Sequence, residues 1–154
     1  MRPERRPVGQ HLNATARAVS RAFDDALGAE DGSLPMWLVL LNLKTRHLAN
    51  QRELAEVVGV REATLTHHLN AMEARGLITR RRDEVNRRIH VVELTEAGEA
   101  AFLRLREAAV GFDRRLRTGI SDEEVAAFDA LLDRFTSNIG VGDGSSVNEV
   151  VRRA

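Results

Sequence analysis

The residues with the most chemistry in them lie between Arg61 and Arg88. At steps of three and four, Ala63, Thr66, His67, Asn70 and Ala74 share one face of a helix expected over Glu62 to Arg75. That face mixes small and hydrogen-bonding side chains and holds no carboxylate. Just beyond it, Arg75, Arg80, Arg81, Arg82, Arg87 and Arg88 stand against Asp83 and Glu84, a local balance of +4. Such groups break no bonds; they donate hydrogen bonds and neutralise anions. A helix face of this kind suits the major groove of a duplex, and clustered guanidiniums suit phosphates and the minor groove.

Other chemistries find little support. No nucleophile–base pair, glycine-rich phosphate loop or metal-ligand cluster is found, so neither an enzyme, a cofactor nor a metal is expected. The adjacent His67 and His68 point about 100° apart on a helix, which does not suit one shared metal. The chain has no cysteine, which excludes disulfides, thiolate zinc sites and thiol redox sensing. With 154 residues, 43% hydrophobic and 30% charged, it has the size of one domain, or of a small domain with an oligomerisation element. No apolar run reaches the roughly 20 residues of a membrane span. The basic opening MRPERRPVGQ lacks the apolar core of a signal peptide, so a cytoplasmic location is expected. Net charge is zero, but it is unevenly spread: Leu94 to Ile139 carries six arginines against nine carboxylates.

The elements that must position these groups are legible in the pattern. Leu12, Ala16, Val19, Phe23 and Leu27 mark a first helix, and MWLVLLNL marks a second, buried nearly all round, from Met36 to about Arg46. Gln51 to Val58 reads as a short helix with Leu54, Val57 and Val58 inward. Gly59 ends it, and Glu62 to Arg75 follows with Leu65, Leu69 and Met72 as its anchoring face. The period then changes. Leu77 to Arg82 and Arg88 to Leu94 read as strands around a turn at Asp83 to Asn86. Thr95 caps a helix over Glu96 to Arg117, whose seam is Phe102, Leu105, Ala109, Phe112 and Leu116. Ser121-Asp122-Glu123-Glu124 is a capping box opening a last helix that carries Val125, Phe128, Leu132, Phe135 and Ile139.

Helix, glycine turn, helix and then an arginine-tipped hairpin is the order of a winged helix-turn-helix. The expected fold is mainly α with a small β-hairpin wing. The stretch from Gln51 to Gly98 resembles the core of MarR-type transcriptional regulators. The resemblance rests on LTHHLNAMEARGLITR for the recognition helix and first strand, DEVNRR for the wing tip and VELTEAG for the return into a long helix. It extends over roughly Leu12 to Ile139. It implies an arm and dimerisation helix over 1–33, a DNA-binding lobe over 34–94, C-terminal dimerisation helices over 95–139 and a flexible tail over 140–154.

The same resemblance implies a homodimeric repressor that binds double-stranded DNA at a palindromic operator. DNA contacts are expected from Arg61, Thr64, Thr66, His67, Asn70, Arg81, Arg82, Arg87 and Arg88. It further implies a small-molecule effector, such as an aromatic acid, held near Trp37 and His68; for Trp37 the plainer expectation is core packing. Independently, the stripes of 12–27, 96–117 and 125–139 exceed what one small lobe covers, which also points to a second copy. Departures from the family's pattern are Asn86 where an aspartate usually orients the wing arginine, Arg61 at a usual serine N-cap, His67 at a usual arginine, and His68 and His90 at usually apolar positions. Partly buried, satisfied positions are expected for His68 and His90. The alternative function is a protein-interaction dimer that keeps the fold without operator specificity.

Overall fold

The computed structural model describes residues 6–46 and 48–140. The tail expected over 140–154 therefore lies, apart from Gly140, outside the described residues, as do residues 1–5 and His47. Among the described residues six helices and three short strands follow one another: α1 (Val8–Gly28), α2 (Leu34–Arg46), β1 (Leu48–Asn50), α3 (Gln51–Val58), α4 (Glu62–Ala74), β2 (Ile78–Arg82), β3 (His90–Leu94), α5 (Glu96–Leu116) and α6 (Asp122–Asn138). The fold is mainly α with a small β wing, as the pattern indicated.

The core gathers around α2. Met36, Trp37, Val39, Leu40, Leu41 and Leu43 are buried there, meeting Leu54 of α3, Leu65, Leu69 and Met72 of α4, and Ala101, Phe102 and Leu105 of α5. Burying side chains of this size contributes about 1.5–3 kcal/mol each before ordering costs, so α2 is the element on which the lobe is assembled. Asn42, also on α2, is fully buried, and neither of its amide atoms has a partner among the described residues. Trp37 stacks on Phe102 with ring centroids 5.6 Å apart and planes 7° from parallel, joining α2 to α5.

The sheet has three strands, in the order β1-β3-β2, not the two of a bare hairpin. β3 pairs antiparallel with β2 (Ile78 opposite Leu94, Arg82 opposite His90) and also with β1 (Leu48 opposite Glu93, Asn50 opposite Val91). β1 gives no sequence signal because Leu-Ala-Asn holds no β-branched residue; pairing with β3 makes it a strand. Asn50 then caps α3, its Oδ1 accepting the Glu53 N–H at 2.9 Å. At the other end of α3, Gly59 takes φ +73°, the left-handed turn that sets α4 against α3.

The long helices meet their own chain only in part. In α1, Leu27 is buried and Phe23 half-buried, its ring 5.1 Å from Phe112 of α5, while Leu12 is exposed. In α5, Phe102 and Leu105 are buried and Leu116 is exposed. The capping box at Ser121 is formed, with Glu124 accepting the Ser121 N–H at 2.8 Å and Ser121 Oγ accepting the Glu124 N–H at 3.2 Å. Yet α6 buries no residue. Phe128 is 53% exposed and Ile139 74%. Among the described residues no helix is long and apolar enough to cross a membrane.

Candidate nucleic-acid interface

The anchoring side of α4 is fixed by Leu65, Leu69 and Met72, which are buried. That orientation turns Ala63, Thr64, His67, Asn70 and Ala74 outward, with His67, Asn70, Ala63 and Thr64 exposed and Thr66 half-buried. Arg61 is the N-cap residue and its side chain makes no capping bond, so it is exposed beside the helix start. The first helical turn therefore lacks the side-chain acceptor a serine would supply.

Several of these side chains are already engaged. Thr66 Oγ1 donates to the Glu62 carbonyl at 2.9 Å and accepts from Gln51 Nε2 at 2.6 Å, tying α4 to the start of α3. Asn70 Oδ1 accepts from Arg80 Nη2 at 2.6 Å, and the same guanidinium is held by Glu73 Oε2 through Nε at 3.0 Å and Nη2 at 2.5 Å. Arg80 thus bolts β2 to the recognition helix instead of facing solvent. Gln51, Glu73 and Arg80 were not among the expected site residues. Their partners sit 7 to 15 positions away, and no local spacing announces the pairs.

Glu73 gives this bolt a pH limit. The Arg80 guanidinium, hydrogen-bonded to it, holds the Glu73 carboxyl below its ordinary value. A lowered carboxylate stabilises the fold fully above its unfolded pKa, roughly 4.3, and loses that contribution as pH falls through the lower folded value. Glu73→Gln is expected to flatten the melting temperature's dependence on pH below about 4.5, relative to the parent protein. Parallel curves in that range would show that the pair is too solvated to matter.

The wing projects beyond this joint. Arg81 donates to Glu93 Oε1 through Nε at 3.2 Å and Nη2 at 3.0 Å, so it is a cation with a carboxylate already attached. Arg82, Arg87 and Arg88 are exposed, and their guanidiniums have no partner among the described residues. The tip is held by its own side chains. Asp83 Oδ1 accepts the N–H groups of Val85 and Asn86 at 2.9 and 2.7 Å, and Asn86 Oδ1 accepts the backbone N–H of Arg88 at 3.2 Å. Asn86 therefore shapes the turn and leaves the Arg88 guanidinium unattached.

The remaining expected residues are elsewhere. His68 is half-buried on the flank of α4, with its ring 6.0 Å from that of His67. His90 is exposed on β3, which corrects the expectation of a partly buried position; it stands at the wing end of the β2–β3 pairing, opposite the exposed Arg82. Trp37 lies in the core on Phe102, in keeping with the plainer expectation. No group of His, Asp and Glu among the described residues is arranged to hold a metal ion.

A helix with one anchored and one polar face, flanked by a cationic hairpin, defines a winged helix-turn-helix protein. The MarR family model matches residues 33–90. A transcriptional repressor, CouR, bound to a 23-mer DNA duplex is 25% identical, covering 84% of this chain and 92% of that one, at a TM-score of 0.77. A mutant of MarR from E. coli, complexed with operator DNA, is 22% identical over 84% and 93% of the two chains, at a TM-score of 0.75. A probable transcriptional regulator from Pseudomonas aeruginosa is 24% identical over 83% and 96%, at 0.73. Residues 33–90 are thus a winged helix-turn-helix segment of the MarR family of transcriptional regulators, in a chain that keeps the MarR-type fold over most of its length.

Proposed function

We propose that this protein is a sequence-specific DNA-binding regulator, a homodimeric repressor that reads a palindromic operator with α4 and grips the flanking backbone with its wing. The observation that carries this reading is the pairing of an exposed polar helix face with three wing guanidiniums, Arg82, Arg87 and Arg88, that have no carboxylate partner among the described residues. Charged groups left unpaired on a projecting hairpin are available to phosphates. Two similar structures hold DNA. Selection from random duplex DNA tests the reading. The expected result is a palindrome whose half-site centres lie about one helical turn, roughly 10 base pairs, apart. Failure to enrich any sequence would overturn it.

The dimer is supported by the apolar stripes of α1, α5 and α6, which run past the point where their own chain covers them. Exposed phenylalanine and leucine in a continuous stripe favour burial against a second copy. Phe128→Glu combined with Leu131→Glu, at two exposed apolar positions of α6, is expected to raise the dimer dissociation constant by at least roughly a hundredfold, read by sedimentation velocity, because two charges per subunit would enter an apolar interface. A parent protein that sediments as a monomer at micromolar concentration would remove the dimer.

A ligand response fits the same architecture. The Trp37–Phe102 stack lies where the lobe joins α5. A small molecule, such as an aromatic acid, that binds one separation of the two lobes better than another shifts the population and changes operator affinity. His68, half-buried on α4, is the polar group this reading assigns to the ligand.

A further inference from the structure

The polar face of α4 is not free to choose its hydrogen bonds. A guanidinium carries donors only, so the Asn70 atom facing Arg80 must be the amide oxygen. Arg80 is in turn fixed by two bonds to Glu73, and its side chain is only 20% exposed. Thr66 Oγ1, another acceptor on this helix, is likewise turned to a protein donor, Gln51 Nε2. The Asn70 amide nitrogen has no partner among the described residues. At Asn70 the acceptor is therefore engaged by the protein, and the donor remains.

We propose that Arg80 sets the base preference of the recognition helix by holding the amide oxygen of Asn70 and leaving that side chain a donor. The inference rests on the reading that α4 enters the major groove. An unrestrained asparagine reads adenine with two bonds: its oxygen accepts from N6 and its nitrogen donates to N7. With the oxygen turned to β2 the two-bond alignment is lost: adenine keeps only the N7 bond, and its N6–H faces no aligned acceptor. Guanine, with N7 and O6, and thymine, with O4, present acceptors that the amide nitrogen can satisfy. Arg80 acts through Asn70 and is a positioning residue, with Glu73 as its anchor.

The test compares the sequences enriched from random duplex DNA by the parent protein, Asn70→Ala and Arg80→Met. The half-site position that loses its preference in Asn70→Ala is expected to be guanine or thymine in the parent. In Arg80→Met, which keeps the aliphatic stem but frees the amide, that position is expected to turn toward adenine by roughly tenfold. An Asn70-dependent adenine in the parent overturns the proposal. So does an Asn70→Ala logo identical to the parent's, or an Arg80→Met protein that binds more weakly with the same base preference, which is what a merely structural arginine would give. If Arg80→Met fails to fold by circular dichroism, the parent and Asn70→Ala logos decide alone. A parent that enriches no motif removes the DNA reading and this proposal together, whereas a clear motif with adenine at this position removes the proposal only.

Discussion

Gly98→Ala is expected to destabilise the protein by about 3 kcal/mol or more and to lower its melting temperature by roughly 6–12 °C. A Cβ at this position would sit 2.0 Å from the Leu77 carbonyl oxygen and 3.0 Å from Leu94 Cδ2. The first neighbour is backbone and cannot rotate away. It also accepts the Thr95 N–H at 3.2 Å. Beside it, Thr95 Oγ1 accepts the Gly98 N–H at 3.0 Å and donates to the Gly76 carbonyl at 2.6 Å. The exit of α4 and the start of β2 are thus stitched to the first turn of α5. Forcing them apart moves the winged-helix lobe relative to the long helices, so under the proposed function operator affinity is expected to fall along with stability. Gly111, in the same helix, is the control. A Cβ there meets nothing within 4 Å in its own chain. Gly111→Ala is expected to stabilise by up to about 1 kcal/mol through helix propensity alone. A Gly98→Ala protein that melts within about 2 °C of the parent would show that the joint yields, and that α5 is not held at this distance.

Pattern and structure coincide where one element explains its own pattern. Helix α3 has the expected span of Gln51 to Val58, because an amphipathic run and a left-handed glycine bound it. Helix α6 begins where Ser121 and Glu124 cap each other, three residues apart. What stayed hidden was made by pairs distant in the chain. Strand β1 exists because β3 offers it a free edge. Asn70 looks like a side chain with donor and acceptor both available, until Arg80 arrives from β2, ten positions on. Arg81 counts as a wing cation by composition, yet the strand register brings Glu93 across to it. Charge totals along the chain cannot distinguish Arg81 from Arg87, though one is paired and the other is not. The apolar stripes were legible as stripes, and their excess over what one chain buries was legible too. Where their coverage thins out, near Val19 in α1 and Phe112 in α5, follows from how the two helices pack, which periodicity does not encode.

That distinction among arginines makes the salt dependence of operator binding the sharpest measurement on the wing. Each phosphate neutralised by the protein releases condensed counterions, and the slope of log affinity against log salt falls by about 0.9 for every phosphate no longer neutralised. Arg87→Ala with Arg88→Ala removes four guanidiniums from a dimer, all without carboxylate partners among the described residues. The slope is expected to become shallower by up to roughly 4, and affinity near 0.15 M salt to fall by at least about a hundredfold. Arg81→Ala removes two cations that Glu93 already offsets, so its slope is expected to move by less per charge. Glu93→Gln should act in the opposite direction, freeing Arg81 for phosphate and steepening the slope. Fluorescence anisotropy over a salt series with the selected duplex reads all three variants. A slope unchanged in the Arg87 and Arg88 double variant would mean that the wing tip stays in solvent. In that case α4 and Arg82, at the end of β2, would have to hold the duplex. With Arg80 committed to Glu73 and Asn70, that helix face presents no guanidinium except Arg61 at its first turn, too few cations for a steep salt response.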